Sequence, residues 1–242
     1  EEFSLMSFCD GTSCAHMPVV QDHKRAFEGD TGPNTGGMGT YSFANHSLPF
    51  LSKQDVLDAQ QTNERVALEL YKQTGQRFRG ILYGGFMLTK KGVKVIEYNA
   101  RLGDPEAMNV LSILETDFIE ICNAVVSGSL ASLKISFKNE ATVCKYAVPV
   151  GYPDSPSKNF EVFCNPEDHN LYLAAVQKTA GGLIATGSRT AAFVGINQKI
   201  GVAEKLAEKG VSEVKGNLFH RKDIGTGELI NLRIKHMKEI LR

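Results

Sequence analysis

One segment near the start of the chain restricts the possible folds more than any other feature. Between residues 29 and 39, five of eleven residues are glycine: Gly29, Gly32, Gly36, Gly37 and Gly39. Glycine loses more backbone freedom on folding than any other residue, so such a segment is unfavourable inside a helix or strand. We therefore predict a long irregular loop over residues 21–41. Long loops in compact domains are usually functional.

Regular patterns surround this loop. Two alternating segments joined at Asp10-Gly11 predict a hairpin that forms the edge of a sheet. Ser52 is a suitable N-cap for the first long helix, Gly75 is a suitable stop, and Asp104 can cap a helix that begins at Pro105. The elements predicted in this part are strands at 3–9, 15–20, 80–88 and 93–98 and helices at 53–74, from 105 and at 117–126.

The pattern changes after about residue 138. Short strand candidates dominate, and two helices follow near the end, at 198–209 and 228–241. We interpret this part as a separate, smaller α+β unit. The predicted fold is α+β, with one domain over residues 1–138 and a second over residues 139–242.

Composition favours small-molecule chemistry. The chain has 27 basic and 27 acidic side chains and no block of like charges, which gives no reason to expect nucleic acid or a membrane as partner. Its five cysteines lack CxxC spacing and are expected to be reduced, as in a cytoplasmic protein. Because the chain opens without Met inside a strand-like run, we expect a fragment whose beginning is missing.

Residues 95–106 contain the strongest candidate for a catalytic site. In a strand, Glu97, Asn99 and Arg101 would project to one side. Carboxylate and amide oxygens suit Mg²⁺, and the guanidinium could stabilise a transferring phosphoryl group. Gly103 would permit an unusual backbone, and Asp104 could both cap and ligate. The alternative is an exposed strand face with an Arg–Glu pair and an ordinary capping Asp.

The segment before and within the glycine-dense loop is a second candidate. Lys24 and Arg25 supply cationic donors, and glycines allow backbone N–H groups to approach an anion closely. These features suggest a phosphorylated substrate. The segment matches neither the P-loop pattern nor GxGxxG. A glycine-rich surface loop without function is the alternative, and His23 is interpreted as a polar neighbour.

Together these motifs resemble the phosphoribosylamine–glycine ligase (glycinamide ribonucleotide synthetase) family of the ATP-grasp superfamily. The resemblance covers nearly the whole chain. It implies the C-terminal half of an ATP-grasp domain, an antiparallel sheet with helices, followed by a smaller α+β domain. The residues that carry the resemblance lie at 21–25, 30–39, 95–106, 146–153, 187–190 and 219–225.

The resemblance implies a reaction in purine biosynthesis: ATP, glycine and 5-phosphoribosylamine give glycinamide ribonucleotide, ADP and phosphate through a glycyl phosphate. It implies ATP and Mg²⁺ or Mn²⁺ as cofactors. The implied metal ligands are Glu97 and Asn99, the ATP contacts Glu2 and Glu97, and the catalytic residues Arg101 and Asp104. The implied substrate-binding residues are Asp22, Lys24, Arg25, Asn34, Thr35, Gly36, Gly37, Met38, Gly39 and Gly103.

The chain also departs from the family. The family's N-terminal domain and the lysines and glycine-rich lid that cover ATP do not precede Glu1, so we expect these 242 residues alone to be inactive and to require the missing N-terminal part. Residues 81–88 contain no second acidic metal ligand. Another ATP-grasp ligase or carboxylase, and a non-catalytic nucleotide-binding module, are the alternative functions.

Overall fold

The computed structural model describes residues 1–242 as a mixed α and β protein in which all strand pairs are antiparallel. This confirms the predicted fold class. The strands are β1 (Glu2–Asp10), β2 (Cys14–His16), β3 (Gln21–Asp22), β4 (Arg25–Phe27), β5 (Thr31–Asn34), β6 (Gly39–Ser42), β7 (Arg79–Thr89), β8 (Gly92–Asn99), β9 (Ala141–Pro149), β10 (Glu161–Val162), β11 (Leu171–Leu173), β12 (Val176–Thr179), β13 (Gly182–Ala185), β14 (Ala191–Asn197) and β15 (Leu218–Phe219). The helices are α1 (Lys53–Thr74), α2 (Glu106–Leu111), α3 (Phe118–Ser127), α4 (Ile200–Glu213) and α5 (Gly227–Ile240).

The first sheet has four strands in the order β2-β1-β7-β8. The predicted hairpin of β1 and β2 forms, but its placement at the sheet edge was wrong for β1. This strand lies inside the sheet because β7 pairs with it along its whole length, from Glu2 opposite Met87 to Asp10 opposite Arg79. Every residue of β1 after Glu2 is accordingly buried.

The prediction of an irregular loop over residues 21–41 was also wrong. The segment contains four short strands, β3 to β6, and β4 pairs with β5. Gly29 lies in the turn between these two strands with a φ of 67°, and Gly32, within β5, has a φ of 80°. Gly39 packs directly on the carbonyl of Cys144, where a side chain would not fit. The glycines therefore permit tight turns and close packing here rather than disorder.

A second sheet joins the two parts of the chain. Its strand order is β11-β14-β9-β6-β3, with β15 paired to β9, and a separate small sheet has the order β10-β13-β12. Strands β6 and β9 pair through Gly39 opposite Lys145 and the following residues, although they lie on either side of the predicted domain boundary. The division at residues 138 and 139 stays a prediction.

The helix ends test the capping predictions. Ser52 caps α1 in a capping box with Asp55, and Gly75 ends it with a φ of 70°, so these predictions are confirmed. Helix α3 begins after Asp117, whose side chain accepts two backbone N–H bonds. The prediction that Asp104 caps α2 was wrong. Pro105 precedes α2 without a side-chain cap, because the Asp104 carboxylate is bound to residues of the second part of the chain.

The largest group of buried apolar side chains connects the two sheets with the C-terminal helices. Phe3 and Phe86 of the first sheet stack with ring centroids 5.5 Å apart. The same cluster contains Tyr41 and Val143 of the second sheet. Its helical members are Ala59, Ala203, Ala207, Ile230 and Met237. The start of β1 and the glycine-rich segment are therefore held on a common core. None of the helices is long and apolar enough to cross a membrane.

Candidate functional site

The end of β8 presents an acid and an amide on one face. Glu97 lies opposite Gly85 and Asn99 lies opposite Tyr83 on β7. Residues two apart in a strand share a face, so the two side chains point to the same side. Glu97 is exposed and has no hydrogen-bond or ion-pair partner in the structure. The structure thus brings this predicted pair together.

Arg101 follows directly after β8 and is exposed. Its guanidinium donates a single hydrogen bond, of 2.9 Å, to the carbonyl of Leu102. It forms no ion pair with Glu97, which is the pair that the alternative interpretation of this segment required. The charge of Arg101 is therefore available to a ligand.

The glycine-rich segment folds back onto the turn that follows β8. Gly37 has a φ of 114°, and a Cβ atom there would lie 2.6 Å from Pro105 Cδ and 2.8 Å from Asp22 Oδ1. Thr35 Oγ1 accepts a bond of 3.0 Å from the Gly37 N–H and donates one of 2.9 Å to the Lys24 carbonyl. The two motifs that the sequence analysis treated separately thus form one surface.

Arg189 forms hydrogen bonds to both of these motifs. Its guanidinium donates to the carbonyls of Gly36 at 2.8 Å, Gly37 at 3.2 Å and Asp104 at 3.0 Å. It also binds the Asp104 carboxylate at 2.8 Å and lies 4.7 Å above the ring of Tyr146, whose hydroxyl donates to the same carboxylate. Residues 187–190 belong to the motifs that carry the family resemblance, but no local spacing could have placed Arg189 here.

Glu2 and Lys24 form an ion pair beside this surface. Glu2 begins β1, and its carbonyl accepts a bond of 3.1 Å from the Gln21 amide of β3, so the two strands fix the pair. Burial by itself lowers the pKa of Lys24. Its bond to Glu2 and the charges of Glu2, Asp22 and Glu97 outweigh that effect and raise the pKa above its ordinary value. Lys24 is therefore a cation near both predicted ATP contacts.

Two further acids lie deeper. Burial, and then the charge of Glu106, raise the pKa of Asp22 well above its ordinary value. Glu106 is 3% exposed and accepts a 2.7 Å bond from the Tyr83 hydroxyl, and burial raises its pKa as well. A Cβ at Gly103 would lie 2.5 Å from Glu106 Oε2, so glycine is needed there. Glu106 is the last residue of the 95–106 motif, and it was not among the predicted site residues.

The other predicted substrate-binding residues are less accessible or are engaged with the protein. Arg25 and Asn34 face each other across β4 and β5, and Arg25 donates a 2.8 Å bond to the Gly32 carbonyl. Met38 is fully buried, and its backbone N–H donates to the His23 carbonyl at 2.8 Å. Substrate contacts by these residues and by Gly39 stay predictions.

A buried arginine supports the β4–β5 hairpin from below. Arg221 is 1% exposed and donates to the Arg25 carbonyl at 3.1 Å, to Asp30 at 2.9 Å and to Asp223 at 2.9 and 2.6 Å. His23 lies nearby, buried, with its Nε2 unpaired. Burial and the charge of Arg221 lower its pKa to about 3, so the imidazole is neutral.

Two domain families match the sequence. Residues 1–107 match the phosphoribosylglycinamide synthetase ATP-grasp (A) domain, and residues 142–227 match the phosphoribosylglycinamide synthetase C domain. The first of these two ranges contains every predicted site residue.

Similar proteins cover nearly the whole chain. It is 52% identical over 241 residues to the phosphoribosylamine–glycine ligase of Methanosarcina barkeri, covering 99% of this chain and 56% of that relative. It is 47% identical over 246 residues to the enzyme of the same name from Methanocaldococcus jannaschii, covering 100% of this chain and 55% of that relative. The chain thus spans about half the length of the curated relatives it matches.

Solved structures agree with these matches. The crystal structure of phosphoribosylamine–glycine ligase from Thermotoga maritima superposes with a TM-score of 0.80 at 28% identity, over 92% of this chain and 55% of that one. The Kluyveromyces lactis urea carboxylase gives a TM-score of 0.66 at 11% identity, over 98% of this chain and 19% of that one, which indicates a shared fold alone. On these matches of sequence and structure, the chain belongs to the phosphoribosylglycinamide synthetase family of ATP-grasp proteins.

Proposed function

We propose that this chain is part of an ATP-dependent ligase that joins 5-phosphoribosylamine and glycine. ATP phosphorylates the glycine carboxylate, and the amine of phosphoribosylamine then attacks the glycyl phosphate. The products are glycinamide ribonucleotide, ADP and phosphate. This is a step in the synthesis of purines, and we assign it to the cytoplasm.

One observation carries the proposal: the glycine-rich segment and the turn that follows β8 meet at a single surface. Gly37 packs on Pro105, and Arg189 bonds to both motifs. A reaction between a phosphorylated amine and an acyl phosphate needs an anion-binding loop beside a phosphoryl-transfer site, because the reacting atoms must approach closely. The contact between the motifs supports that geometry.

The residues at the end of β8 fit a divalent metal ion. Glu97 and Asn99 offer oxygen atoms on one face, and Glu97 has no protein partner that a cation would have to displace. Mg²⁺ usually takes one or two protein carboxylates or amides and completes its shell with water and substrate phosphates. When bound, such an ion, Mg²⁺ or Mn²⁺, would neutralise charge on the ATP phosphates during transfer.

The remaining charged groups have separate tasks in this proposal. Arg101, which is exposed and nearly free of protein contacts, holds the glycyl carboxylate and then the acyl phosphate. Glu2 contacts the ATP ribose, with Lys24 holding the Glu2 side chain in place. Asp104 acts from the adjoining turn, where Arg189 fixes it. The proposed substrate-binding residues are Asp22, Lys24, Arg25, Gly103 and residues 34–39.

The chain spans about half of its relatives, so we assign the reaction to the whole enzyme. The partners are ATP, glycine, phosphoribosylamine and the remaining part of the same enzyme. The test is ADP release by the longest polypeptide that the gene encodes, with freshly generated phosphoribosylamine. Release should need both phosphoribosylamine and glycine, and should stop when EDTA removes the metal.

Two variants sharpen the test. Glu97→Gln removes the proposed metal ligand and should lower kcat at least about a hundredfold, with partial recovery at high Mn²⁺. Glu69→Gln, on the exposed surface of α1, removes an acid of the same size and should leave the rate unchanged. ADP release that is indifferent to glycine would refute the proposed reaction, and an unaffected Glu97→Gln enzyme would refute the metal assignment.

A further inference from the structure

Two cysteines face each other across the β1–β2 hairpin, away from the proposed catalytic surface. The antiparallel register places Cys9 opposite Cys14. Their sulfur atoms are 3.2 Å apart, within contact of each other. Both thiols are free in the structure.

The hydrogen-bond pattern of the hairpin shows which kind of pair this is. Asp10 N–H donates to the Ser13 carbonyl and Met17 N–H donates to the Met6 carbonyl, so these are hydrogen-bonded pairs. Pairs alternate along an antiparallel ladder, and the pair at residues 9 and 14 is therefore non-hydrogen-bonded. At such positions the Cα atoms lie about 4.5 Å apart, within the range that a disulfide spans.

One of the two cysteines is accessible to solvent. Cys9 is 1% exposed, whereas Cys14 is partly exposed. Both line an open cavity of about 450 Å³ between the hairpin and α1, which is large enough for a small organic reagent. Leu68 and Tyr71 of α1 form its apolar wall. An attacking molecule would therefore meet Cys14 first and find Cys9 directly behind it.

The contact between the two sulfur atoms also gives the two thiols different pKa values. The hydrogen bond between the two sulfurs lowers the pKa of Cys14, and the same bond together with burial raises the pKa of Cys9. The thiolate is the reactive form of cysteine, so Cys14 is the better nucleophile and reacts first, and Cys9 reacts second.

We propose that Cys9 and Cys14 form a two-thiol modification site that is oxidised by small disulfides and bridged by trivalent arsenicals. With oxidised glutathione, the Cys14 thiolate attacks one sulfur and releases one glutathione thiolate. Cys9 then loses its proton to water and attacks the Cys14 sulfur of the mixed disulfide. The second glutathione thiolate leaves, and an intrachain disulfide remains. With phenylarsine oxide, both thiols bind arsenic and one water is released.

The other three cysteines provide an internal comparison. Cys144 is fully buried in β9, and Cys122 and Cys164 are partly exposed with no sulfur in contact. A reagent can modify these two at most singly. The pair differs from them by its second sulfur, and that difference is what the experiment must detect.

The experiment treats the longest polypeptide that the gene encodes with oxidised glutathione and analyses tryptic peptides without reduction. No lysine or arginine precedes Lys24 in this chain, so one peptide carries both Cys9 and Cys14. In the wild-type protein this peptide should lose two hydrogen atoms and keep no glutathione. It should react about tenfold faster than Cys122 or Cys164, which should acquire glutathione adducts.

Two variants test the order of attack. Cys9→Ser should trap glutathione on Cys14, and Cys14→Ser should leave Cys9 unmodified over the same period. Phenylarsine oxide should protect both thiols of the wild-type protein from alkylation. It should not protect the one thiol of the pair that remains in each single variant. A wild-type peptide that keeps glutathione, or reaction no faster than at Cys122, would overturn the proposal. The wild-type measurement decides this even where a variant does not fold.

Discussion

The four hydrogen bonds of Arg189 allow a structural and a chemical arginine to be separated by experiment. Arg189 bonds three carbonyls and one carboxylate, whereas Arg101 bonds one carbonyl of its own neighbour. Arg189→Met keeps most of the side-chain volume and removes every one of these bonds. Arg101→Met removes the same charge three residues before Asp104. The pair therefore provides a matched comparison.

The expected cost of Arg189→Met follows from its contacts. Each hydrogen bond to a charged group contributes about 1.5–3 kcal/mol when both partners are buried. The Asp104 side chain is 51% exposed, so its ion pair with Arg189 contributes only about 0–1 kcal/mol. Water can also hydrate the carbonyl of exposed Gly36. We expect the free energy of unfolding to fall by about 2–4 kcal/mol, most of it from the carbonyl bonds.

Urea unfolding of the longest polypeptide measures this cost, and hydrogen exchange locates it. In Arg189→Met the amides of residues 35–39 should exchange faster, because the segment is released from the turn at Asp104. A double-mutant cycle with Asp104→Asn should return a coupling of no more than about 1 kcal/mol.

Activity distinguishes the two arginines. Arg101→Met should change the free energy of unfolding by less than about 0.5 kcal/mol. Its kcat should fall at least about a hundredfold, because it removes the group that we propose binds the transferring phosphoryl. Arg189→Met should lower both stability and kcat. The reasoning is refuted if Arg189→Met leaves stability and exchange unchanged, or if Arg101→Met destabilises the protein as much as Arg189→Met does.

Three further predictions concern other contacts. Gly37→Ala should destabilise the protein by about 1–3 kcal/mol, because the added Cβ would clash with Pro105. Gly29 also has a positive φ, but a Cβ there would meet no atom within 4 Å, so Gly29→Ala should lower the free energy of unfolding in urea clearly less. The raised pKa of Glu106 means that the folded state binds the Glu106 proton more tightly than the unfolded state does. The stability that this proton contributes is therefore complete below the ordinary pKa of 4.5, and it is lost as the pH rises toward the raised pKa. Glu106→Gln should therefore flatten the decline in the urea midpoint with rising pH, and an unchanged slope would contradict the raised pKa. Lys145 is fully buried between two glutamates of α4, and Lys145→Met should lower the free energy of unfolding by about 3–5 kcal/mol, while a loss below about 1 kcal/mol would contradict the ion pairs.

Local signals predicted the helices and hairpins of this protein well. Ser52 with Asp55, Gly75 and Asp117 lie at the ends of helices as their chemistry requires, because capping depends only on residues within one turn. Strands β7 and β8 formed where the sequence predicted strands, at 80–88 and 93–98, for the same reason. The fold class followed from these elements, although their arrangement into sheets did not.

The errors have a shared physical cause in long-range contacts. Glycines at 29–39 predict irregular backbone only while their neighbours are unknown; Gly39 is required because β9 packs against it. Asp104 would cap α2 if Tyr146 and Arg189 did not bind its carboxylate from 42 and 85 residues away, respectively. The sequence predicted Glu97, Asn99 and Arg101 as site residues because they are close together in the sequence at the end of one strand. It could not predict Arg189, which is distant from them in the sequence.

The charges around the proposed site explain why one acid differs from the others. Five carboxylates surround the surface: Glu2, Asp22, Glu97, Asp104 and Glu106. Lys24 neutralises Glu2, and Arg189 neutralises Asp104. Burial shifts Asp22 and Glu106 toward their protonated forms. Only Glu97 has neither a bonded cation nor burial to remove its charge. A site for anionic substrates must limit its own negative charge, since like charges repel strongly where water is scarce. The single unpaired carboxylate therefore lies where, in the proposed function, a cation would bind both the protein and the ATP phosphates.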